Sequence, residues 1–185
     1  MEVKEAQREV RSVFLGGSVG QMVSAALWLG SAALSTWAST RAGILFIVLG
    51  GVLIFPTTQL VLWLIQRRAS LSAANPLGAL AMQIAFTVPL TLPLAGAAAL
   101  HRLSWFYPAC MIIVGAHYLP FVFLYGMWQF GVLAGLMVAG GLLLGLYVPG
   151  PFALGGWITG ALLLAFGAFV LAARAFAAAC EPQRT

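Results

Sequence analysis

Polar and apolar positions fall in blocks along this chain. Six apolar stretches, about 13–35, 43–65, 76–98, 106–126, 128–148 and 152–173, are separated by short polar links. A helix of about 20 residues rises about 30 Å, the thickness of a hydrocarbon core, so each stretch is long enough to cross a bilayer. The predicted fold is all-α: a polytopic membrane helix bundle with six transmembrane helices. Ahead of it, in residues 1–12, Val3, Ala6 and Val10 recur between charged residues at helical spacing. This predicts an amphipathic helix on the membrane surface that runs straight into the first span. Glu alternates with Lys and Arg there, unlike the acid-poor start of a secretory signal, so the segment is expected to be retained. Residues 174–185 read as a polar tail.

Composition narrows the class. Apolar residues make up 62% of the 185 and charged residues 7%, which excludes a soluble domain with a solvated surface. Asp is absent, and Glu2, Glu5, Glu9 and Glu181 lie at the two ends, so no span carries a carboxylate for proton coupling. The net charge of +5 comes from basic residues scattered through tails and links beside apolar spans. That arrangement favours anionic lipid heads as the partner and argues against nucleic acid. Counted on alternate sides, Lys4, Arg8, Arg11, Arg67, Arg68, Arg174 and Arg184 oppose only Arg41 and Arg102. The bias predicts both termini in the cytoplasm, with 1–12 and 174–185 on that side.

Polar residues inside the spans are the candidates for function. His117 lies roughly 16 Å along the fourth span from Phe106, near the membrane midplane. Burial there disfavours the imidazolium, and no embedded carboxylate opposes it, so a neutral ring within a polar cluster of Tyr, Gln or Thr is expected. Gln21 in span one, Gln59 in span two, and Gln83 and Thr87 in span three are expected to turn inward with Tyr118 and Tyr125, because an unpaired amide in hydrocarbon costs several kcal/mol. Pro56, Pro89, Pro93 and Pro120 each remove a helical donor. Spans two, three and four are therefore expected to bend, while five and six stay straight. Asn75-Pro76 reads as a helix start in which Asn caps. Trp105, Phe106 and Tyr107 read as an aromatic interface belt.

The other signals are structural. Ser18, Gln21, Ser24 and Ser31 mark one side of span one. Gly131, Gly135, Gly140, Gly141 and Gly145 in span five, and Gly156 and Gly160 in span six, give smooth faces suited to close packing, with a homo-oligomer or a membrane partner as candidate occupants. Cys110 and Cys180 are too far apart in sequence for a redox pair, and His101 and His117 cannot jointly hold a metal or a haem, so no cofactor, no metal and no catalytic residue are expected.

NPLG (Asn75 to Gly78), Pro56 in the preceding span, and GAHYLPF (Gly115 to Phe121) followed by Tyr125 resemble a family of small bacterial membrane proteins catalogued as a domain of unknown function. The resemblance implies a multi-pass protein of the bacterial inner membrane and points to His117. Three functions compete. The first is a midplane site for binding or passage of a small neutral or weakly acidic solute, the second a structural or regulatory subunit, and the third an intramembrane enzyme.

Overall fold

The computed structural model describes residues 1–66 and 70–180; Arg67, Arg68, Glu181 and Arg184, counted above for charge, lie outside the described residues. The described chain is all-α, in eight helices: α1 Val3–Val13, α2 Ser18–Trp37, α3 Thr40–Gly51, α4 Ile54–Gln66, α5 Leu77–His101, α6 Phe106–Tyr125, α7 Gln129–Leu146 and α8 Leu154–Cys180. Four of them are long and apolar enough to cross a membrane; two bent pairs, α1 with α2 and α3 with α4, bring the number to six if each pair is one span. These helices make it a multi-pass membrane protein. The helix α8 continues through Arg174 to Cys180, into the stretch that reads as a polar tail in the sequence.

The first correction concerns the N-terminus. The helix α1 does not run straight into α2; the two are bent by 67°. Leu15, Gly16 and Gly17 between them have φ of 50°, 66° and 82°. Glycine enters this left-handed region without the Cβ penalty, so Gly16-Gly17 is a turn rather than the start of a span. The turn folds α1 back under the bundle, where Ala6, Val10 and Val13 are buried while Val3 is exposed.

Polar bonds hold it there. Gln7 Nε2 donates to the carbonyl of Phe123 at 2.5 Å, and the Arg11 guanidinium donates to the carbonyl of Tyr125. Both carbonyls belong to the last turn of α6, which lacks α-helical donors, and a cation there also complements the helix dipole. Gly126 completes that end in a Schellman arrangement, its N–H on Phe123 and that of Met127 on Val122. Arg174 on α8 donates to the carbonyl of Arg11. At the start of α5, Asn75 Oδ1 accepts from the Leu77 N–H, while its Nδ2 donates to the Ala6 carbonyl at 3.1 Å and to Glu9 at 2.9 Å. Glu9 also accepts from the Ser72 N–H and hydroxyl. Asn75 is thus both the helix cap and the clasp for α1. Asn75→Ala is expected to destabilise the protein by about 2 kcal/mol, and Asn75→Asp by more, because it keeps the cap acceptor but sets a second carboxylate against Glu9. Thermal unfolding in detergent checks the order; Asp equal to wild type would refute the clasp.

The prolines act in two different ways. In span two the chain breaks by 58° between α3 and α4. Pro56 is the third residue of α4, where a missing N–H costs nothing, and the first backbone bond of the new helix runs from Thr57 to Leu53. The carbonyl it cannot serve is that of Val52, in the break itself. Pro89 and Pro93 lie inside α5 and Pro120 inside α6, yet neither helix is broken.

The closest helix packing is α6 on α7 and α2 on α8, and the tyrosines of α6 reach across to α2. Tyr107, Tyr118 and Tyr125 recur on α6 at helical spacing and are all buried. Tyr107 and Phe106 are therefore core residues and not members of an interface belt; Trp105 is half-buried. Facing them on α2, Ser18, Gln21, Ser24 and Ser31 are buried too. Ser31 donates to the Gly43 carbonyl at 2.8 Å, leaving its oxygen to accept from Tyr107 at 2.5 Å, while Ser35 donates to Tyr107 at 2.9 Å. The glycine faces are occupied within the chain. Gly140 and Gly141 pack on Met111, Ile112 and Pro108 of α6, and Gly156 and Gly160 on Tyr107 and Leu29.

Candidate functional site

A cavity of about 350 Å³ lies among α2, α3, α4, α5 and α6. It exists because α3 and α4 splay at their break while α5 packs on α6 rather than on α4. Most of its wall is apolar, with Ile47 and Val48 of α3 and Val88 and Leu92 of α5. The polar part comes from five of the residues singled out above: Gln21, Gln59, His117, Tyr118 and Tyr125 all line it. Gln21 comes from α2, Gln59 from α4 and the other three from α6.

The other two are not in the wall. Thr87 reaches the site only through His117, and Gln83 is exposed on the outer side of α5. The polar face expected at four-residue steps on α5 is consumed locally. Thr91 donates to the Thr87 carbonyl at 2.6 Å, and Thr87 to the Ile84 carbonyl at 2.7 Å. Such back-bonding satisfies a hydroxyl within its own helix. The cavity face of α5 carries Ala81, Ala85, Val88, Pro89 and Leu92 instead.

His117 is half-buried, with its ring against Tyr118 and Phe121 at centroid distances of 5.6 Å and 5.0 Å. Its Nδ1 lies 2.7 Å from the Thr87 hydroxyl. The Thr87 hydroxyl also donates to the Ile84 carbonyl, and the ring interacts with that same carbonyl, so with Nδ1 as the N–H donor toward this pair Nε2 is left as the acceptor. The neutral ring then presents Nε2 as a bare acceptor. Tyr118 interacts with the side chains of Gln21 and Ser24 on α2.

Around this cavity three buried oxygens have no hydrogen-bond partner among the described residues: Gln21 Oε1, Thr58 Oγ1 and Gln59 Oε1. Leaving a buried polar atom unpaired costs about 1–3 kcal/mol, so three in one place is a concentrated cost. Thr58 was missed as a site residue by sequence reasoning, although its position beside Gln59, two residues after Pro56, was the available signal. Chemically, the set offers acceptors: two amide oxygens, a hydroxyl and an imidazole nitrogen. No group of three or more His, Cys, Asp or Glu side chains comes together among the described residues. Cys110 lines the same cavity.

No curated protein and no solved structure matches this chain. The residues matched by a family model run from the start of α1 to within α8, and cover the cavity and the clasp alike. The chain belongs to DUF7010, a family of unknown function, matched over residues 3–173.

Proposed function

We propose that the protein binds, or passes across the membrane, a small neutral or weakly acidic solute held in the cavity between α2 and α6. The observation that carries this reading is the set of unpartnered oxygens on Gln21, Thr58 and Gln59 around a cavity that His117 also lines. A fold that only needed to pack α2 against α4 gains nothing from two amides there, since aliphatic side chains of similar volume avoid the desolvation cost. A solute that donates hydrogen bonds offsets it. Purified protein in liposomes, with no other component, should release glycerol, urea or acetic acid faster than protein-free liposomes. Equal release of all three would leave the passage reading without support, and unchanged thermal unfolding at high concentrations of each would remove the binding reading as well.

The setting we infer is the inner membrane of a bacterium, with α1–α2 and α3–α4 each acting as one bent span, six spans in all, and both termini in the cytoplasm. The asymmetry of Lys and Arg supports it, as does an even number of spans. Cysteines introduced at Ser70 and Ser104 should then label from opposite sides of the membrane, Ser70 from the cytoplasm. Labelling of both from one side ends the six-span arrangement. The alternative of a subunit role drew on glycine faces in spans five and six, and most of those glycines pack against α6 and α2.

A further inference from the structure

We propose that the occupant of the cavity comes from the bilayer itself: an uncharged amphiphile with an apolar chain and a hydrogen-bond-donating head, entering sideways between the α3–α4 break and α5. The inference rests on reading the cavity as a solute site and specifies the class of solute.

Two lips define the entrance. On one side Val52 and Phe55, at the α3–α4 break, line the cavity while remaining 75% and 57% exposed. On the other, Ala85 and Pro89 of α5 line it and are exposed as well. Helix α4 packs on α2 and helix α5 on α6, and among the described residues α4 and α5 have no extensive contact with each other. The depth of this gap decides what meets it. Pro89 is at the middle of the 25 residues of α5, and Val52 lies between helices of 12 and 13 residues that together make one bent membrane-length unit. Both lips therefore open at the level of hydrocarbon, where acyl chains and membrane-dissolved amphiphiles are the available molecules.

The exposed lips of the cavity are apolar, and its most buried amide lies deeper. Its mouth is Val52, Phe55, Ala85 and Pro89, whereas Gln21, on the central helix α2, is 2% exposed. An occupant entering head first would leave its chain at the mouth and bring its head to the unpartnered oxygens of Gln21, Thr58 and Gln59. All three are acceptors or can act as such, as is His117 Nε2, so the matching head carries O–H or N–H groups. A carboxylate head would meet acceptors with no cation among the residues lining the cavity. The route from the α1 end is covered: Phe14, Leu124 and Tyr125 form that wall, and α1 lies beyond it, held by Gln7, Arg11 and Asn75. A volume of about 350 Å³ is at the lower end of the range for small-molecule pockets, enough for a head and the first part of a chain.

The test uses the full chain in lipid nanodiscs and two photoactivatable probes of equal length, a diazirine-bearing hexadecanol and the matching diazirine-bearing hexadecane. The alcohol should label the cavity and its lips, and Gln59→Leu should reduce that labelling roughly fivefold or more, the effect of one lost buried hydrogen bond. Ala85→Trp, at the mouth, should reduce it similarly. Labelling by hexadecane should be insensitive to Gln59→Leu. Equal cavity labelling by both probes, unaffected by Gln59→Leu, would mean ordinary acyl chains filling a gap and would overturn the proposal. Absence of alcohol labelling in wild type, with release of glycerol from liposomes intact, would overturn lateral entry and leave the solute site standing. Loss of both would remove the two together.

Discussion

Replacing Gly43 with alanine should lower the stability of the protein by about 3 kcal/mol, at the upper end of the usual effect of overpacking. A Cβ at that position would sit 2.6 Å from the Ser31 carbonyl oxygen and inside contact distance of Ser35 Oγ. The first of these is backbone and cannot turn aside, so α3 must move off α2. That movement also separates Ser31 from the Gly43 carbonyl and unsettles the chain of hydroxyls from Ser35 through Tyr107 to Ser31, which is fully buried at its last two members. For a chain of this length, about 3 kcal/mol corresponds to a fall of roughly 10 °C in the unfolding midpoint. Gly135→Ala is the matched control: a Cβ there would have nothing within 4 Å, so the change should be neutral or slightly stabilising through helix propensity. Equal midpoints for Gly43→Ala and Gly135→Ala would show that the α2–α3 contact is not the tight one described.

The largest functional effect is expected at His117. Phenylalanine there should reduce solute release from liposomes more than about tenfold, because it removes the acceptor Nε2 and any polar contact that depends on it. Folding should change little. The ring volume is similar, the neighbours Tyr118 and Phe121 are aromatic, and when the ring's contacts with Thr87 and the Ile84 carbonyl are lost the Thr87 hydroxyl keeps its own bond to Ile84. The cost in stability is then about 1 kcal/mol, or a few degrees. Thr87→Val gives an intermediate case, with the ring present but its Nδ1–H without the Thr87 hydroxyl. If His117 serves only packing, the order reverses, and the surviving Phe variant loses midpoint and keeps its rate of release.

How much of this was legible in the sequence depends on whether a feature is local. Helix α6 could be read almost to the residue, since its apolar run is bounded by Trp105 and by Gly126, which closes it. The all-α architecture follows from composition alone. Breaks were harder, because glycine pairs and prolines carry two meanings. Gly16-Gly17 fits a packing face or a left-handed turn equally, and only the positive φ of those glycines separates the two. Pro56 and Pro89 look alike in sequence, yet one opens a helix and the other sits inside one, since what surrounds the lost hydrogen bond decides whether the helix yields. Polar residues were legible as a set but not individually. An amide in an apolar helix must be accounted for, but nothing local distinguishes Gln21, buried on α2, from Gln83, on the open side of α5. The tyrosines of α6 were in principle readable. Their spacing matches the polar stripe of α2, but Tyr107 beside Trp105 and Phe106 has the same pattern as an interface belt. The clasp of α1 was beyond reach, since Gln7 and Arg11 find carbonyls more than a hundred residues away.

The central claim is that Gln21, Thr58 and Gln59 keep unpaired oxygens because a solute or water pairs with them. An experimentally determined structure in lipid nanodiscs tests it most directly. The account predicts density within about 3 Å of at least one of the three oxygens, hydrogen-bond distance, with the α3–α4 break open beside it. Amides turned to bond protein groups, with side chains filling the space between α4 and α5, would contradict it.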